Sequence, residues 1–358
     1  MKIVTRRGPL EFVRREVREE PAYAAAKGDA PIRLDRNESP FEMPEEMRRE
    51  VLGRLEEQSW SRYADPWALE LRSSLARREG LSPEGVLVGN GSNSLFLSLF
   101  LALFGPGRRC ALCPPTFGLY APWVRAAGGE VVSFLLSEED LSPPVDAMIE
   151  AARKDRSLVV LLCSPNNPTG TLFPEDGLRA LLETEALVVL DEAYVEFSRT
   201  SAGAWLGERS NLVILRTLSK AAALAGARVG YLLADPALIA EVSKVYPPYA
   251  VNLFARAAAL ATLARPELLA ERAAAIVAER DRVLPALSSA GGARVARSFT
   301  NFHYLRPEKP AAELAEAIRA RGVAVRRVAG TRGEALRVTV GRTEENDRFL
   351  EIWKEVAR

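Results

Sequence analysis

Between residues 85 and 233 the chain repeats one pattern: a short, largely apolar run, a polar turn, then a segment with helical spacing. The runs are GVLVG at 85–89, Arg109–Cys113, Gly129–Leu136, Leu158–Cys163, Ala186–Leu190, Leu212–Leu215 and Val229–Leu233. A strand that is apolar at nearly every position must be covered on both faces, and strands alternating with helices join in parallel. The pattern therefore predicts an α/β domain whose mostly parallel sheet lies between helical layers. Ligands of such sheets bind beyond the C-terminal ends of the strands. Here those ends carry polar clusters: Asn90–Ser94, Pro114–Gly118, Ser164–Gly170, Asp191–Tyr194 and Thr217–Lys220.

The flanks differ in character. Residues 1–40 are polar, broken by Pro21, Gly28 and Pro31, and read as an N-terminal arm ending in a turn at Leu34–Pro40. A helix is expected after Pro44, with Met47, Val51 and Leu55 on one face. The large domain is expected over residues 41–250. After Tyr246-Pro247-Pro248 an Ala-, Leu- and Arg-rich helical stretch covers 252–290. Strands at Arg294–Phe299, Asn301–Leu305, Val323–Val328 and Leu336–Val340 follow, with helices from Pro310 and Thr343. Residues 251–358 thus read as a smaller α+β domain.

Charge narrows the function classes. Lys plus Arg is 48 and Asp plus Glu is 47, a net charge of +1, which gives no footprint for nucleic acid or an anionic membrane. The longest apolar run, Leu95–Phe104, is too short to span a bilayer, and the charged N-terminus lacks a secretion pattern. A cytoplasmic enzyme is expected.

The most informative stretch is RTLSKAAALAGARVGY, Arg216–Tyr231. Lys220 follows the hydroxyls of Thr217 and Ser219, lies among small residues, and precedes Arg228. A lysine partly desolvated by apolar neighbours has a lowered pKa and offers a neutral amine, the condition for Schiff-base chemistry. Two hydroxyls and a guanidinium suit a phosphate. An aldehyde that also carries a phosphate describes pyridoxal phosphate. Read alone, the stretch fits equally a solvated lysine after a strand.

Other features sort themselves around it. Gly89 and Gly91 form a GxG before the helix at Leu95, a strand–turn–helix suited to an anion. The third glycine of a dinucleotide fingerprint is missing, which disfavours a dehydrogenase. An ordinary helix capped by Ser92 or Asn93 remains the plain alternative. Cys110 and Cys113 form a CxxC on an expected strand, where residues three apart face opposite sides. With one histidine in the chain, His303, no metal site and no Ser-His-Asp triad is expected. Asp191, ending an apolar strand, needs a cationic partner if buried, and a protonated pyridine nitrogen would be one. Tyr194 and the Asn167 amide can bond the phenolate oxygen of such a ring, and Phe117 offers a face to stack on it. Each also has a bland role: Asp191 as a helix cap, Asn167 in a turn, Phe117 in the core.

Taken together, RLDRNESPF, RYADP, GNGSNS, PPTFGLY, SPNNPTG, DEAYVEF, the Lys220 stretch, SFTNF and LRVTVGRTEEN resemble the pyridoxal-phosphate aminotransferases of the aspartate-aminotransferase-like superfamily, and within it the histidinol-phosphate aminotransferase group. The resemblance runs from about residue 20 to 347. It implies that Lys220 forms the Schiff base with the cofactor and moves the proton. Asp191 pairs with the pyridine nitrogen, and Tyr194 and Asn167 bond the ring oxygen. Gly91, Ser92, Asn93, Thr217, Ser219 and Arg228 hold the phosphate, joined by Tyr63 from the other subunit of a homodimer. Arg337 takes the substrate anion, Arg326 matches a second arginine used for a substrate phosphate, and Tyr23 and Asn37 join the substrate side. The Asn167–Pro168 bond is expected to be cis. Phe117 stands where the family often has tyrosine, Asn93-Ser94 where it often has an acid, and Ala222 where it usually has an aromatic. The implied substrates are L-histidinol phosphate and 2-oxoglutarate. The same scaffold admits an aromatic amino-acid aminotransferase, a threonine-phosphate decarboxylase or a non-catalytic pyridoxal-phosphate-binding regulator.

Overall fold

Twelve strands in two sheets place the residues singled out above, and the computed structural model describes residues 8–22 and 30–357. In chain order the strands are β1 (Ile32–Leu34), β2 (Val86–Asn90), β3 (Arg109–Leu112), β4 (Glu130–Ser133), β5 (Leu158–Cys163), β6 (Leu187–Asp191), β7 (Leu212–Thr217), β8 (Val229–Leu233), β9 (Ala293–Val295), β10 (Phe302–Pro307), β11 (Val323–Ala329) and β12 (Glu334–Thr339). The larger sheet runs β2-β8-β7-β6-β5-β3-β4. Only β8 opposes its neighbours, pairing antiparallel with both β2 and β7.

The unbroken apolar runs do what their composition requires. Along β5, Leu158, Val160 and Leu162 enter one core layer, while Val159, Leu161 and Cys163 enter the other. Cys110 and Cys113 likewise lie in opposite layers, and both are free thiols. The smaller sheet, β1-β11-β12-β10-β9, packs Leu34, Leu305, Leu336 and Val338 against Phe349 and Trp353 of the C-terminal helix Thr343–Val356.

Several boundaries depart from the sequence reading, each for a local reason. Strand β1 lies inside the segment read as an arm; its three residues are too few to show a period, yet they pair parallel with β11. The helical stretch after residue 252 is two helices, Leu253–Leu263 and Pro266–Ala290, because Pro266 starts a new first turn. The first of these packs into the larger sheet's core through Ala255, Ala258 and Ala259. The strand expected at Arg294–Phe299 stops at Val295. Beyond it Ser298 and Thr300 bond one another at 2.8 Å, and the Ser298 hydroxyl accepts the Thr300 N–H at 3.2 Å. Such local side-chain bonds compete with a ladder.

Behind β6 and β7 lies a buried ionic cluster. The Arg216 guanidinium donates to Glu192 at 2.7 and 2.9 Å and to Glu79, and the Tyr231 hydroxyl donates to Glu79 at 3.0 Å. Glu192 also accepts the Ala202 N–H and the Ser201 hydroxyl. Removing one partner of a buried pair leaves the other charge uncompensated, at a cost of about 3–5 kcal/mol. Glu192→Ala should therefore lower the unfolding free energy by about 3 kcal/mol or more, read from urea melts. A change under about 1 kcal/mol would show the cluster to be energetically idle.

Candidate active site

The C-terminal ends of β2, β3, β5, β6 and β7 open on one edge of the larger sheet. Because β8 runs the other way, its N-terminal end meets them there and delivers Arg228 beside Thr217 and Ser219. Arg228 Nη1 lies 3.5 Å from the Ser219 hydroxyl, and Thr217 donates to Ser219 at 3.0 Å.

Beside this group starts the helix Ser92–Leu103. Its N-cap is Gly91, at φ 75°, and not Ser92 or Asn93 as the capped-helix alternative expected. No side chain caps the first turn, so its N–H groups face outward with the helix dipole behind them. A Cβ on Gly91 would stand 2.3 Å from the Arg228 guanidinium, and one on Gly230 would stand 2.3 Å from the Ser92 nitrogen. Both glycines thus permit a close approach of backbone, guanidinium and hydroxyls, a donor set matched to a phosphate.

Lys220 follows at the end of β7. It is half-buried, its Nζ donates to the Arg36 carbonyl at 3.3 Å, and it stands 6.0 Å from the Tyr194 ring. Burial, helped by the cations Arg337 and Arg228, pulls its pKa down to about 8 despite Glu38 and Asp191. Asp191, 5% exposed, is pushed up to about 6 by burial, while hydrogen bonds from Tyr120 and the Ala193 N–H act against that rise. The Tyr194 phenol is pushed upward by burial and stays a donor, with Arg337 and Asn37 acting the other way.

The smaller sheet closes the other side. Arg326 and Arg337 stand directly opposite each other on β11 and β12, which puts both side chains on one face. The Arg337 guanidinium donates to Asn167 Oδ1 at 2.8 Å and to the Asp35 carbonyl at 2.8 Å. The Asn167–Pro168 bond is cis. Asn37 is buried, donating to the Tyr194 hydroxyl at 2.9 Å and accepting from Thr339 at 3.2 Å, so its amide supports the tyrosine from behind. Phe117 lies edge-on to Tyr120 at 5.2 Å. Tyr63 stands apart at the surface, 85% exposed and 4.7 Å from Tyr249. Tyr23 lies outside the described residues.

Hydroxyl, guanidinium and N–H donors, a lysine of lowered pKa and a buried carboxylate converge on one sheet edge, and the family "Aminotransferase class I and II" matches residues 30–352. The chain belongs to that family. This aminotransferase is 37% identical to the histidinol-phosphate aminotransferase of Chlorobaculum tepidum over 332 residues, 92% of this chain and 95% of that one. It is 38% identical to the histidinol-phosphate aminotransferase of Thermococcus kodakarensis, covering 97% of this chain and 99% of the other. Among solved structures, that of histidinol-phosphate aminotransferase from Sinorhizobium meliloti in complex with pyridoxal-5'-phosphate superposes with a TM-score of 0.81 at 26% identity, covering 92% of each chain. Sequence reading assigned no role to two residues of this aminotransferase's site: Tyr120, which bonds Asp191 from 71 positions away, and Thr339, which holds Asn37. PPTFGLY contains Tyr120, but nothing in its spacing indicates the contact.

Proposed function

We propose that this aminotransferase moves the amino group of L-histidinol phosphate to 2-oxoglutarate, giving imidazole acetol phosphate and L-glutamate, in histidine biosynthesis. The observation that carries the substrate is the Arg326–Arg337 pair, since two arginines on one face match a phosphate dianion better than a lone carboxylate. The names of the relatives support it.

The cofactor is pyridoxal 5'-phosphate, which supplies an electrophilic aldehyde and an electron-withdrawing ring when bound. The residues present fit it. Gly91, Ser92, Asn93, Thr217, Ser219 and Arg228 would hold its phosphate. Asp191 would face its ring nitrogen, Tyr194 and Asn167 its ring oxygen, and Phe117 the ring face. Lys220 is the base: with its pKa near 8, a useful fraction of the amine is neutral near pH 7, and it takes and returns the proton at the reacting carbon. Arg326 and Arg337 orient the substrate anion, with Asn37 holding Tyr194 in place.

The working unit is a homodimer in the cytoplasm, with Tyr63 reaching the partner's phosphate site. Supporting this, Leu52, Trp60 and Leu69, near Tyr63 in the chain, and Tyr249 and Phe254, at or just before the start of a helix that packs on the helices either side of the Tyr63 loop, are also exposed. An apolar surface of this kind on a chain of ordinary composition marks an interaction site.

A substrate panel with 2-oxoglutarate as acceptor tests the reading. Arg326→Ala should lower kcat/KM for histidinol phosphate by about ten- to a hundredfold, the value of one or two charge-assisted bonds, and change that for phenylalanine by less than about threefold. Equal losses on both substrates would assign the enzyme to aromatic amino acids instead.

A further inference from the structure

The carboxylate assigned to the cofactor's ring nitrogen is itself gripped by a residue no motif assigns. Asp191 Oδ1 accepts the Ala193 N–H at 3.0 Å, and Oδ2 accepts the hydroxyl of Tyr120. Tyr120 opens the helix Tyr120–Ala126, is fully buried, and sits between the rings of Phe96 and Phe117, each 5.2 Å away. Those rings hold the phenol from two sides, and its hydroxyl reaches Asp191 with the Cys163 thiol beside it. The Phe117 carbonyl accepts the Tyr120 N–H at 3.1 Å, which ties the phenol to the expected stacking residue.

An ionised carboxylate has about four lone-pair sites and no proton to give. Two of them are taken here by neutral donors, one per oxygen, and the others remain for a further donor. A phenol donates well only to the ionised form. Without it Asp191 would be a buried carboxylate on one N–H, free to turn about its terminal torsion and drawn toward the neutral acid. A neutral acid is a poor partner for a protonated ring nitrogen.

We propose that Tyr120 is a positioning residue, whose hydroxyl keeps the Asp191 carboxylate ionised and turned so that its open lone pairs meet the protonated ring nitrogen of the cofactor. The proposal rests on the reading of Asp191 given above. Its role is distinct from that of Phe117, which offers only a ring face.

The test uses the enzyme loaded with pyridoxal phosphate carrying a nitrogen-15 label in the ring, with Tyr120→Phe and Asp191→Asn compared with the unaltered protein. The nitrogen-15 shift reports ring protonation, which a merely structural residue would not move. In Tyr120→Phe the signal should move toward the unprotonated position. The cofactor dissociation constant should rise about ten- to a hundredfold, the value of a hydrogen bond to a charged group, while the melting temperature without cofactor stays close to that of the parent. If Asp191→Asn moves the nitrogen signal and Tyr120→Phe leaves both signal and affinity unchanged, the proposal is overturned and the Asp191 reading stands. If neither variant moves the signal, the Asp191 reading falls and the proposal with it. Should Tyr120→Phe not fold, protein labelled with carbon-13 at the tyrosine Cζ decides. One phenol signal is expected to shift on Asp191→Asn, and no shifted signal overturns the contact.

Discussion

Lys220→Ala should lower turnover by roughly 10⁴-fold, the upper range for loss of a positioned acid–base group, while the folded protein keeps its stability. The side chain is half-buried and its one hydrogen bond among the described residues is to a carbonyl, so little packing is lost. Borohydride reduction of the loaded parent, followed by peptide mapping, should place the pyridoxyl group on Lys220. The same residue sets a pH dependence whose sign is fixed. Its folded-state pKa of about 8 lies below the ordinary 10.5, so the neutral fraction of the amine is the minority below about 8 and the majority above it. Cofactor capture by the apo-protein should therefore rise as pH passes through 8 and level off well before 10. A rise centred near 10.5 would mean that the amine is solvated, and label on a different lysine would reject the site.

Mixing two inactive chains should restore activity. On the proposed reading, Tyr63→Asp would place a negative charge against a phosphate site, and Lys220→Ala would remove the base from its own. If Tyr63 acts on the partner's cofactor, each hybrid dimer has one site with both lesions and one with neither. Activity should climb from near zero toward one working site per hybrid. If Tyr63 served its own chain, every site would carry one lesion and the mixture would stay as inactive as its parents. Native mass spectrometry to confirm subunit exchange makes a silent mixture decisive against the shared site. Tyr63 is 85% exposed and, among the described residues, its ring lies tilted against that of Tyr249, which leaves it open to a partner chain.

What the sequence made legible was whatever depends on short range. The larger sheet could be read because most of its strands are largely apolar runs, and β5 and β8 have the ends expected of them, Leu158–Cys163 and Val229–Leu233. The convergence of the polar clusters followed from strand polarity alone. Illegible features depended on distant partners. Ile32–Leu34 becomes a strand only because β11 supplies its hydrogen bonds from nearly 300 residues away. Asn37 read as part of a turn and, by the resemblance, as a substrate-side residue, yet its amide meets Tyr194 and Thr339. Tyr120 was one apolar-looking residue within a motif until the fold put its hydroxyl on Asp191. Gly91 displaced Ser92 as the cap because the backbone there takes a positive φ, a choice that propensity at Ser or Asn positions does not reveal.

Strand β1 has a consequence for how divisible this protein is. The chain lays down an edge of the smaller sheet first, leaves to build the larger sheet, and returns some 260 residues later to complete the smaller one. Between β1 and the larger sheet it passes Asp35 and Asn37, whose carbonyl and amide hold Arg337 and Tyr194. A fragment ending near residue 250 would carry Lys220 and Asp191 but keep an unpaired strand and lose Arg326 and Arg337. A fragment beginning there would lack the edge strand that its own β11 requires. The two sheets are separate in space but interleaved in the chain, so neither can be cut out, exchanged or inherited as a module without taking part of the other's active site with it.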